Sequence, residues 1–386
     1  MSYKAIRQRT SPTLVALFAL VMSGIAAQNV VADPMDTFPK GPYKATLVAE
    51  QILYPSLLGV GAGLPVADVS GVLLPDGKLR AYVFAQGKGI EVWDSTDGIT
   101  FTRAGNAFGG DKGYGMPRVI KLADNRYRMY NMAADGISCS ISTDGINFTV
   151  ENAACIKKTS FGITGNMAAP GIVKLASGGY RAYFSSVGGA GTGPDPQKVF
   201  SATSPDGTTW SADSGVRVGI GTSIDQSGEH PTAIGHSDGS VTMFYFDNGA
   251  TGLGGPTRQN MGLYYASSKD GLTFSNPTQF DLSSLSPKFR NATGNDPDIF
   301  LDKNGNMLLW AGDFDKSIGG YIFSVKLTQG TMPASTTKPG GVQPQPGQPP
   351  MKQNPTKKIT ITCVKGKTVK KVTNIRPFCP PGFKQK

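Results

Sequence analysis

A heptad with the pattern Ser-x-Asp-Gly-x-x-aromatic occurs four times in this chain of 386 residues. In a tight turn the Asp side chain accepts backbone N–H groups, and the Gly adopts a backbone conformation that other residues resist. The aromatic residue three positions after the Gly can pack between neighbouring sheets. We therefore interpret the heptad as a structural turn at the outer edge of a repeated unit, the alternative being that its Asp residues do chemistry. The four copies are STDGITF (Ser95–Phe101), STDGINF (Ser142–Phe148), SPDGTTW (Ser204–Trp210) and SKDGLTF (Ser268–Phe274).

The heptads belong to five longer units, each with a turn rich in Gly, Asn or Asp between two apolar runs. These runs are short and rich in β-branched or aromatic residues, and no helical period is present. Four such strands per unit, repeated every 50 to 65 residues or so, are typical of a β-propeller blade. We predict an all-β, five-bladed propeller over residues 33–327. The aligned turns begin at Leu74, Leu122, Leu175, His236 and Asp302.

The fifth unit lacks the heptad and shows only three strands. The segment KATLVAEQILY (Lys44–Tyr54), which precedes the first unit, can supply the fourth strand. This pairing would join the two ends of the domain by hydrogen bonds and would hide both sheet edges.

The innermost strand of each blade lines the channel on the propeller axis. Counting back six residues from each aligned turn gives one axial set, and the positions two residues later share its face because side chains alternate along a strand. A proline lies between the two sets in four of the five blades, which supports the alignment. The first set is Asp68, Met116, Ala169, His230 and Asp296, and the second is Ser70, Arg118, Gly171, Thr232 and Asp298.

The axis is therefore expected to gather Asp68, Arg118, His230, Asp296 and Asp298, with Glu229 on the rim. Paired carboxyl groups can hydrolyse a glycosidic bond, one donating a proton and the other attacking the sugar or activating water. An arginine would hold one carboxylate ionised. The alternative is an ion network that only keeps the blades in register, or a role for His230 as a ligand of a channel metal such as calcium. We predict further substrate contacts from His230, Ser70 and Thr232, and from an aromatic platform of Tyr114, Phe161 and Phe246.

These features resemble the five-bladed propellers of the arabinanase, levansucrase and invertase superfamily of glycoside hydrolases. The resemblance covers roughly Val66 to Leu327 and rests on the SxDGxx[FW] turns and on inner-strand starts such as NDPDIF (Asn295–Phe300). The similarity to sialidases is weaker, because their related box has one more residue between Asp and Gly and their propeller has six blades.

The resemblance implies three acids on successive inner strands: an Asp base or nucleophile, an Asp that tunes a pKa, and a Glu acid. Asp68 matches the first of these acids. The second blade offers Met116 or Arg118, and the third offers Asn166 or Ala169, so neither supplies an acid. Acids return only in blades four and five, and we assign Asp68 and Asp296 as base or nucleophile, Glu229 as acid, and Asp298 with Arg118 as the tuning pair.

The two ends of the chain differ from this core. Residues 1–27 have a basic start, an apolar run and small residues before a cleavage point after Ala27 or Ala32, as in a secretory signal peptide. An uncleaved membrane anchor is the alternative. Residues 328–358 are rich in Pro, Gly and Gln and predict an extended linker. A basic module follows at residues 359–386.

The net charge of +11 is located almost entirely in the tail. Residues 338–386 contain eleven Lys and Arg residues and no acid, whereas residues 33–337 carry a net charge of −3. A nucleic-acid-binding function for the whole chain therefore loses its support. The tail suits an anionic envelope polymer, or it is simply a solvated tail without a partner.

The four cysteines form two local pairs, each 16 residues apart: Cys139 with Cys155 and Cys363 with Cys379. Export allows both pairs to be disulfides. The cysteines lack the spacing and the neighbouring histidines of a metal site.

We thus expect a secreted or surface-associated monomer that acts on carbohydrate. We expect no nucleotide cofactor and no nucleic-acid partner. The competing hypothesis is a non-catalytic propeller that binds glycan or protein at the cell envelope.

Overall fold

The computed structural model describes residues 37–110, 115–187, 197–250, 261–290, 293–330, 359–366, 368–374 and 384–385. The predicted signal peptide, most of the predicted linker, Tyr114 and Cys379 lie outside the described residues. The chain divides into two compact units, Met1–Thr331 and Met332–Lys386. Across the described ranges, no helix is long and apolar enough to cross a membrane.

The first unit is an all-β propeller of five four-stranded antiparallel sheets, as predicted. The segment before the first blade contains β1 (Tyr43–Leu53) and the one-turn helix α1 (Pro55–Leu58). Each of the next four blades contains four consecutive strands. Blade one has β2 (Val66–Leu73), β3 (Leu79–Ala85), β4 (Gly89–Ser95) and β5 (Thr102–Gly109); blade two has β6 (Gly115–Lys121), β7 (Tyr127–Ala133), β8 (Gly136–Ser142) and β9 (Thr149–Lys157).

A single 3-10 turn, Lys158–Phe161, follows blade two. Blade three has β10 (Asn166–Lys174), β11 (Tyr180–Val187), β12 (Lys198–Ser204) and β13 (Ser211–Ala212); blade four has β14 (Glu229–Gly235), β15 (Val241–Asp247), β16 (Gly262–Ser268) and β17 (Ser275–Gln279).

Blade five has β18 (Asn295–Leu301), β19 (Met307–Asp315) and β20 (Gly319–Gln329), and β1 completes it. The strand β1 pairs antiparallel with β20, with Tyr43 opposite Gln329 and Leu53 opposite Ile322. The prediction that the segment around Lys44–Tyr54 closes the ring is confirmed.

Hydrophobic packing between blades holds the ring together. The described residues form five apolar clusters, and each cluster joins two neighbouring blades. The cluster between blades five and one contains the fully buried Trp310, whose ring lies edge-on to Phe101 and Phe300. Face-to-face burial of this kind is the main source of stability in a stack of sheets.

The heptads form the turns between the third and fourth strands of blades one to four. In the first copy, Asp97 Oδ1 accepts the backbone N–H groups of Ile99 at 2.8 Å and Thr100 at 2.7 Å. These two bonds lower the pKa of Asp97 to about 2. Gly98 has a φ of 76°, a conformation that residues with a side chain rarely adopt.

A disulfide links Cys139 of β8 to Cys155 of β9, with a Cα–Cα distance of 5.9 Å. The second predicted pair cannot be placed in the same way, because Cys379 lies outside the described residues. The second unit contains an antiparallel sheet in the order β22, β21, β23. Its strands are β21 (Ile359–Lys365), β22 (Thr368–Asn374) and β23 (Lys384–Gln385).

Candidate active site

The five inner strands β2, β6, β10, β14 and β18 share one irregularity near their first residues. Each strand contains a break in its pairing register, which is the mark of a β-bulge. In every blade the first bulge residue has a left-handed backbone although it is not a glycine. The five residues and their φ values are Asp68 (56°), Met116 (54°), Ala169 (52°), His230 (44°) and Asp296 (54°).

These are the five positions that the sequence alignment placed first on the axis. Left-handed backbone at a residue with a side chain costs about 1–3 kcal/mol, and it persists where the surrounding structure enforces it. The second bulge residue is a proline in four blades. Proline has no N–H to donate to the ladder, and a bulge tolerates it because a bulged residue need not donate. The bulges re-aim one side chain per blade, and three of those side chains are ionisable.

His230 lies between the two axial carboxylates. Its Nε2 is 3.2 Å from Asp68 Oδ1, and its Nδ1 is 3.0 Å from Asp296 Oδ1. The backbone N–H of Asp68 also lies 3.4 Å from Asp296 Oδ2. The three side chains are 12–14% exposed, so they are accessible from one side only. The space between them and their neighbours is about 10 Å³, enough for roughly one water molecule.

The mutual contacts push the pKa values of the two carboxyl groups in opposite directions. Burial, followed by the charge of Asp296, raises the pKa of Asp68. Burial acts in the same direction on Asp296, but the charge and hydrogen bonding of His230 outweigh it and hold the pKa of Asp296 below its usual range. Burial alone would lower the pKa of His230, yet the charge of Asp296 and the contacts with both carboxylates raise that pKa well above its ordinary value.

A second layer lies directly beneath this ring, where the buried Arg118 forms an ion pair with Asp298. Arg118 Nε donates to the carbonyl of Pro170 at 3.1 Å, and its Nη2 donates to the carbonyl of Pro297 at 3.1 Å. Arg118 thus ties its own blade two to blades three and five.

Asp298 completes the contacts of this layer. Its Oδ2 accepts the backbone N–H of Gly71 in blade one at 2.7 Å, and its Oδ1 accepts the hydroxyl of Thr232 in blade four at 3.3 Å. Burial raises the pKa of Asp298 and lowers the pKa of Arg118, against the attraction between the two charges. We call Arg118 and Asp298 the axial clasp, since together they contact all five blades.

The axial clasp separates two spaces along the channel. Above it is the small space between Asp68, His230 and Asp296. Below it is a cavity of about 450 Å³ between the last residues of the inner strands, with Phe38 at its wall. Arg118 lines both spaces. Because Asp68, His230 and Asp296 lie within the first three residues of their strands, the ring faces the side of the propeller where the inner strands begin.

The donor set of the ring can be compared with the needs of a metal ion. One oxygen from each of Asp68 and Asp296 and one nitrogen of His230 lie within 4.8 Å of one another. Calcium takes six to eight oxygen ligands, and this site offers a nitrogen and very little room. The ring therefore does not fit calcium, and a mixed set of carboxylate and imidazole suits a smaller transition metal better.

Solved structures with this architecture show what the fold is similar to. A thermostable family-43 glycoside hydrolase matches with a TM-score of 0.53 and 15% identity, over 75% of this chain and 96% of that one. An endo-arabinase from Bacteroides thetaiotaomicron VPI-5482 matches with a TM-score of 0.51 and 14% identity, over 68% of this chain and 96% of that one.

A third match comes from the GH130 family of mannoside phosphorylases, which contains glycoside hydrolases that target β-1,2-mannosidic linkages in Candida mannan. Its TM-score is 0.52 at 14% identity, over 80% of this chain and 99% of that one. The fold is the five-bladed propeller of these glycoside hydrolases. No family model and no curated protein matches the chain.

Within this propeller the predicted site residues occupy three different environments. Asp68, His230 and Asp296 form the ring, and Arg118, Asp298 and Thr232 lie in the layer beneath it. Ser70 is also fully buried there, and its hydroxyl accepts the backbone N–H of Val119 at 3.0 Å, which joins blades one and two.

Glu229, the first residue of β14, lies beside the ring and does not line its central space. Its Oε1 accepts hydrogen bonds from Gln197 Nε2 and Asn248 Nδ2, each at 2.6 Å. Burial raises the pKa of Glu229. The sequence carried no signal for Gln197 or Asn248, because both come from loops outside the repeated pattern.

The predicted aromatic platform is not exposed where the structure describes it. Phe246 is 5% exposed and lies opposite Glu229 in the pairing of β14 with β15. Phe161 packs edge-on against Phe184 and Phe200. Both residues are part of the packing, so a sugar would need another aromatic surface.

Proposed function

We propose that this protein acts on carbohydrate at the axial ring and hydrolyses a glycosidic bond there. The observation that carries the proposal is that two buried carboxyl groups, Asp68 and Asp296, face one accessible space on the axis with His230 between them. The pKa values of the two groups are shifted in opposite directions, raised at Asp68 and lowered at Asp296, which supports it. Environments that push two carboxyl pKa values apart mark an acid and a base or nucleophile. The glycoside hydrolases that share the fold support the substrate class.

The shifts favour distinct roles for the two aspartates. The sequence suggested Glu229 as the acid and Asp68 as base or nucleophile, but Glu229 does not line the central space. We therefore assign Asp68, whose pKa is raised, as the proton donor to the leaving oxygen, and Asp296 as the ionised partner. Retaining glycosidases have carboxyl groups about 5–5.5 Å apart, whereas inverting ones need about 6.5–9.5 Å to admit a water molecule. Facing oxygens of Asp68 and Asp296 lie within 4.8 Å. Because these oxygens are close and the space beside them holds roughly one water molecule, we propose attack of Asp296 on the sugar carbon with retention of configuration.

The other residues of the site would then position these two groups. His230, protonated between the carboxylates, stabilises the ionised form of Asp296. Glu229 adjoins His230 in the chain and is anchored by its two amide partners. The axial clasp, which the sequence suggested as a tuning pair within the catalytic set, has its charges and lone pairs engaged by all five blades. Its contacts favour a structural role.

A second candidate function is glycan binding without catalysis. The observation in its favour is that both axial carboxylates already contact His230, with about 10 Å³ of space beside them. In this alternative the ring orders the blades and offers acceptors to sugar hydroxyl groups.

Hydrolysis of a panel of aryl glycosides and of arabinan, xylan and mannan separates the two functions. We expect the wild-type protein to cleave at least one of these, and Asp68→Asn and Asp296→Asn to lower kcat/KM about 10²–10⁴-fold, as loss of a general acid or nucleophile does. Asp76→Asn, a change of an exposed carboxylate in a turn of blade one, is the matched control.

Each outcome decides between the candidates. Cleavage that survives both axial substitutions removes the catalytic assignment. A wild-type protein that binds a glycan but cleaves none supports the binding function, and one that neither binds nor cleaves excludes both.

We further propose that the chain is exported by residues 1–27 and that its basic tail holds it to an anionic polymer of the envelope. The apolar run of the first segment and the eleven basic residues of 338–386 support this location.

A further inference from the structure

Phe314 is the single exposed aromatic side chain among the residues that the structure describes, with 43% of its surface accessible. We propose that Phe314 is a platform for the apolar face of a sugar ring, in a second subsite next to the axial ring, so that the ligand is an oligosaccharide. The inference rests on the proposed carbohydrate function and assigns it a ligand length and a direction.

Phe314 lies on β19, on the face of the strand that points at Asp296. A Cβ atom added to Gly312 would lie 3.6 Å from Asp296 Oδ2, so that face of β19 points at the axial carboxylate. Phe314 is two residues further along the same strand, and residues two apart share a face. Its side chain is therefore displaced by roughly 7 Å from the Gly312 position, at about 3.4 Å per residue. This displacement is comparable to the width of one sugar residue.

The direction of the displacement is toward the open side of the propeller. Gly312 pairs with Asn295, the first residue of the inner strand β18, and Phe314 extends beyond that end. Trp310, two residues before Gly312, is fully buried between blades five and one. The same face of β19 thus runs from the core at Trp310, past the carboxylate, to an exposed ring at Phe314.

The aromatic ring of Phe314 is uncovered because its neighbour on the next strand is a glycine. Phe314 is opposite Gly320 in the pairing of β19 with β20. A Cβ at Gly320 would lie 2.8 Å from the carbonyl oxygen of Val66, because the start of the blade-one inner strand passes directly beside it. Gly320 therefore offers no side chain to cover the Phe314 ring, and its own backbone lies beside the strand that carries Asp68, two residues after Val66.

Apolar and polar groups flank this ring. Leu64 is 39% exposed, and its carbonyl accepts the backbone N–H of Gly320 at 3.1 Å. On the other side the exposed Arg290 donates from Nη2 to the carbonyl of Phe314. A guanidinium has five N–H donors, so this contact leaves donors for sugar hydroxyl groups. An apolar surface with a few hydrogen-bonding groups at its edge is what a sugar-binding subsite requires.

The test measures binding by calorimetry with a mono-, di-, tri- and tetrasaccharide from the glycan that the wild-type protein recognises among arabinan, xylan and mannan. We expect Phe314→Ala to weaken binding of the trisaccharide about tenfold, which corresponds to about 1.4 kcal/mol, and to leave the monosaccharide unchanged. Phe314→Trp should retain the affinity. Ile99→Ala removes an apolar side chain of similar exposure, 46%, from a heptad turn and serves as the matched control.

The outcomes separate the subsite from the function beneath it. Wild-type binding that Phe314→Ala does not weaken, or that Ile99→Ala weakens equally, overturns the subsite and leaves the proposed function standing. An equal loss for mono- and trisaccharide also overturns it, because Phe314 would then act at the ring itself. A wild-type protein that binds none of these sugars removes the proposed function, and the subsite with it.

Discussion

His230 provides the positive charge that two buried carboxylates share. Without it, Asp68 and Asp296 would face each other across a space of about 10 Å³, and Arg118, whose charge also acts on Asp296, forms its ion pair with Asp298. A pair of buried like charges is relieved by binding a proton. The charge state of this one side chain therefore controls both the stability of the ring and the protonation of the proposed catalytic groups.

The first prediction concerns stability against pH. The pKa of His230 is raised on folding, so between its unfolded value of about 6.5 and its folded value the native state binds more protons than the unfolded state. The free energy of unfolding should therefore fall as pH rises above about 6.5. His230→Gln should abolish this slope in urea-unfolding measurements across the same pH range.

The other histidine supplies the control for this measurement. Burial lowers the pKa of His236, so its contribution to stability is lost on the acid side, as pH falls below about 6.5. His236→Gln should remove that acid-side loss and leave the alkaline slope intact. An alkaline slope that persists in His230→Gln would show that another group is responsible.

At the scale of residues, the sequence predicted which side chains lie on the axis better than it predicted their backbone conformation and contacts. Alignment of the turns placed Asp68, His230 and Asp296 on the axis because the inner strands repeat at a regular offset. It could not show the left-handed bulge in all five blades. In four blades a proline follows the bulge residue, whereas Asp68 is followed by Val69. Phe314 was missed because its exposure depends on a glycine in a neighbouring strand, and no pattern within the blade records that relation.

At the scale of elements, the heptad turns of blades two to four also connect each of these blades to the one before it. The second strands of blades one to three carry Arg-x-Tyr, and both side chains donate to carbonyl groups of the next blade's heptad. In blade two, Arg128 Nη1 donates to Asp206 at 3.1 Å, and the Tyr130 hydroxyl donates to Gly207 at 2.8 Å. The heptad aromatic, Trp210, then lies edge-on to the Tyr130 ring.

The same arrangement recurs at two other interfaces. Tyr82 donates to Gly145 and Tyr183 donates to Gly271, each at 2.7 Å. Blade four has no Arg-x-Tyr in its second strand, and the blade that follows it has no heptad. The two motifs therefore pair at the three interfaces between blades one and four. At the remaining interface the heptad of blade one meets no Arg-x-Tyr in blade five, and its Phe101 packs edge-on against Trp310 instead.

Removal of a single hydroxyl group tests this connection. Tyr130→Phe keeps the ring packing but leaves the carbonyl of Gly207 with one partner fewer in a buried place, a loss that costs about 1–3 kcal/mol. We expect a decrease of that size in the free energy of unfolding, measured with urea. Tyr180→Phe is the control, because its hydroxyl makes no hydrogen bond to any described residue. Equal stabilities of the two variants would contradict the role of the hydroxyl.

At the scale of the whole molecule, two closures define the propeller. The pairing of β1 with β20 joins the ends of the ring, makes β1 the outer strand of blade five and leaves β20 paired on both sides. The axial clasp joins all five blades at the centre. The closing strand was predictable, because blade five visibly lacked one strand. An axial ion network that keeps the blades in register was one of the two interpretations of the sequence. The sequence could not show which blades the side chains of Arg118 and Asp298 reach.

The net charge has opposite signs in the propeller region and in the tail. Residues 33–337 carry a net charge of −3, and residues 338–386 carry +11. If the tail holds the protein to a polyanion, the full chain should be retained on heparin resin, used as a probe for an anionic polymer, and should elute when salt screens the charges. A chain of residues 33–331, without the basic leader and the tail, should pass through because its net charge of −3 is repelled. Neutral dextran resin controls for adhesion to the matrix. Retention of the shortened chain, or elution that does not depend on salt, would show that the tail charge is not the anchor.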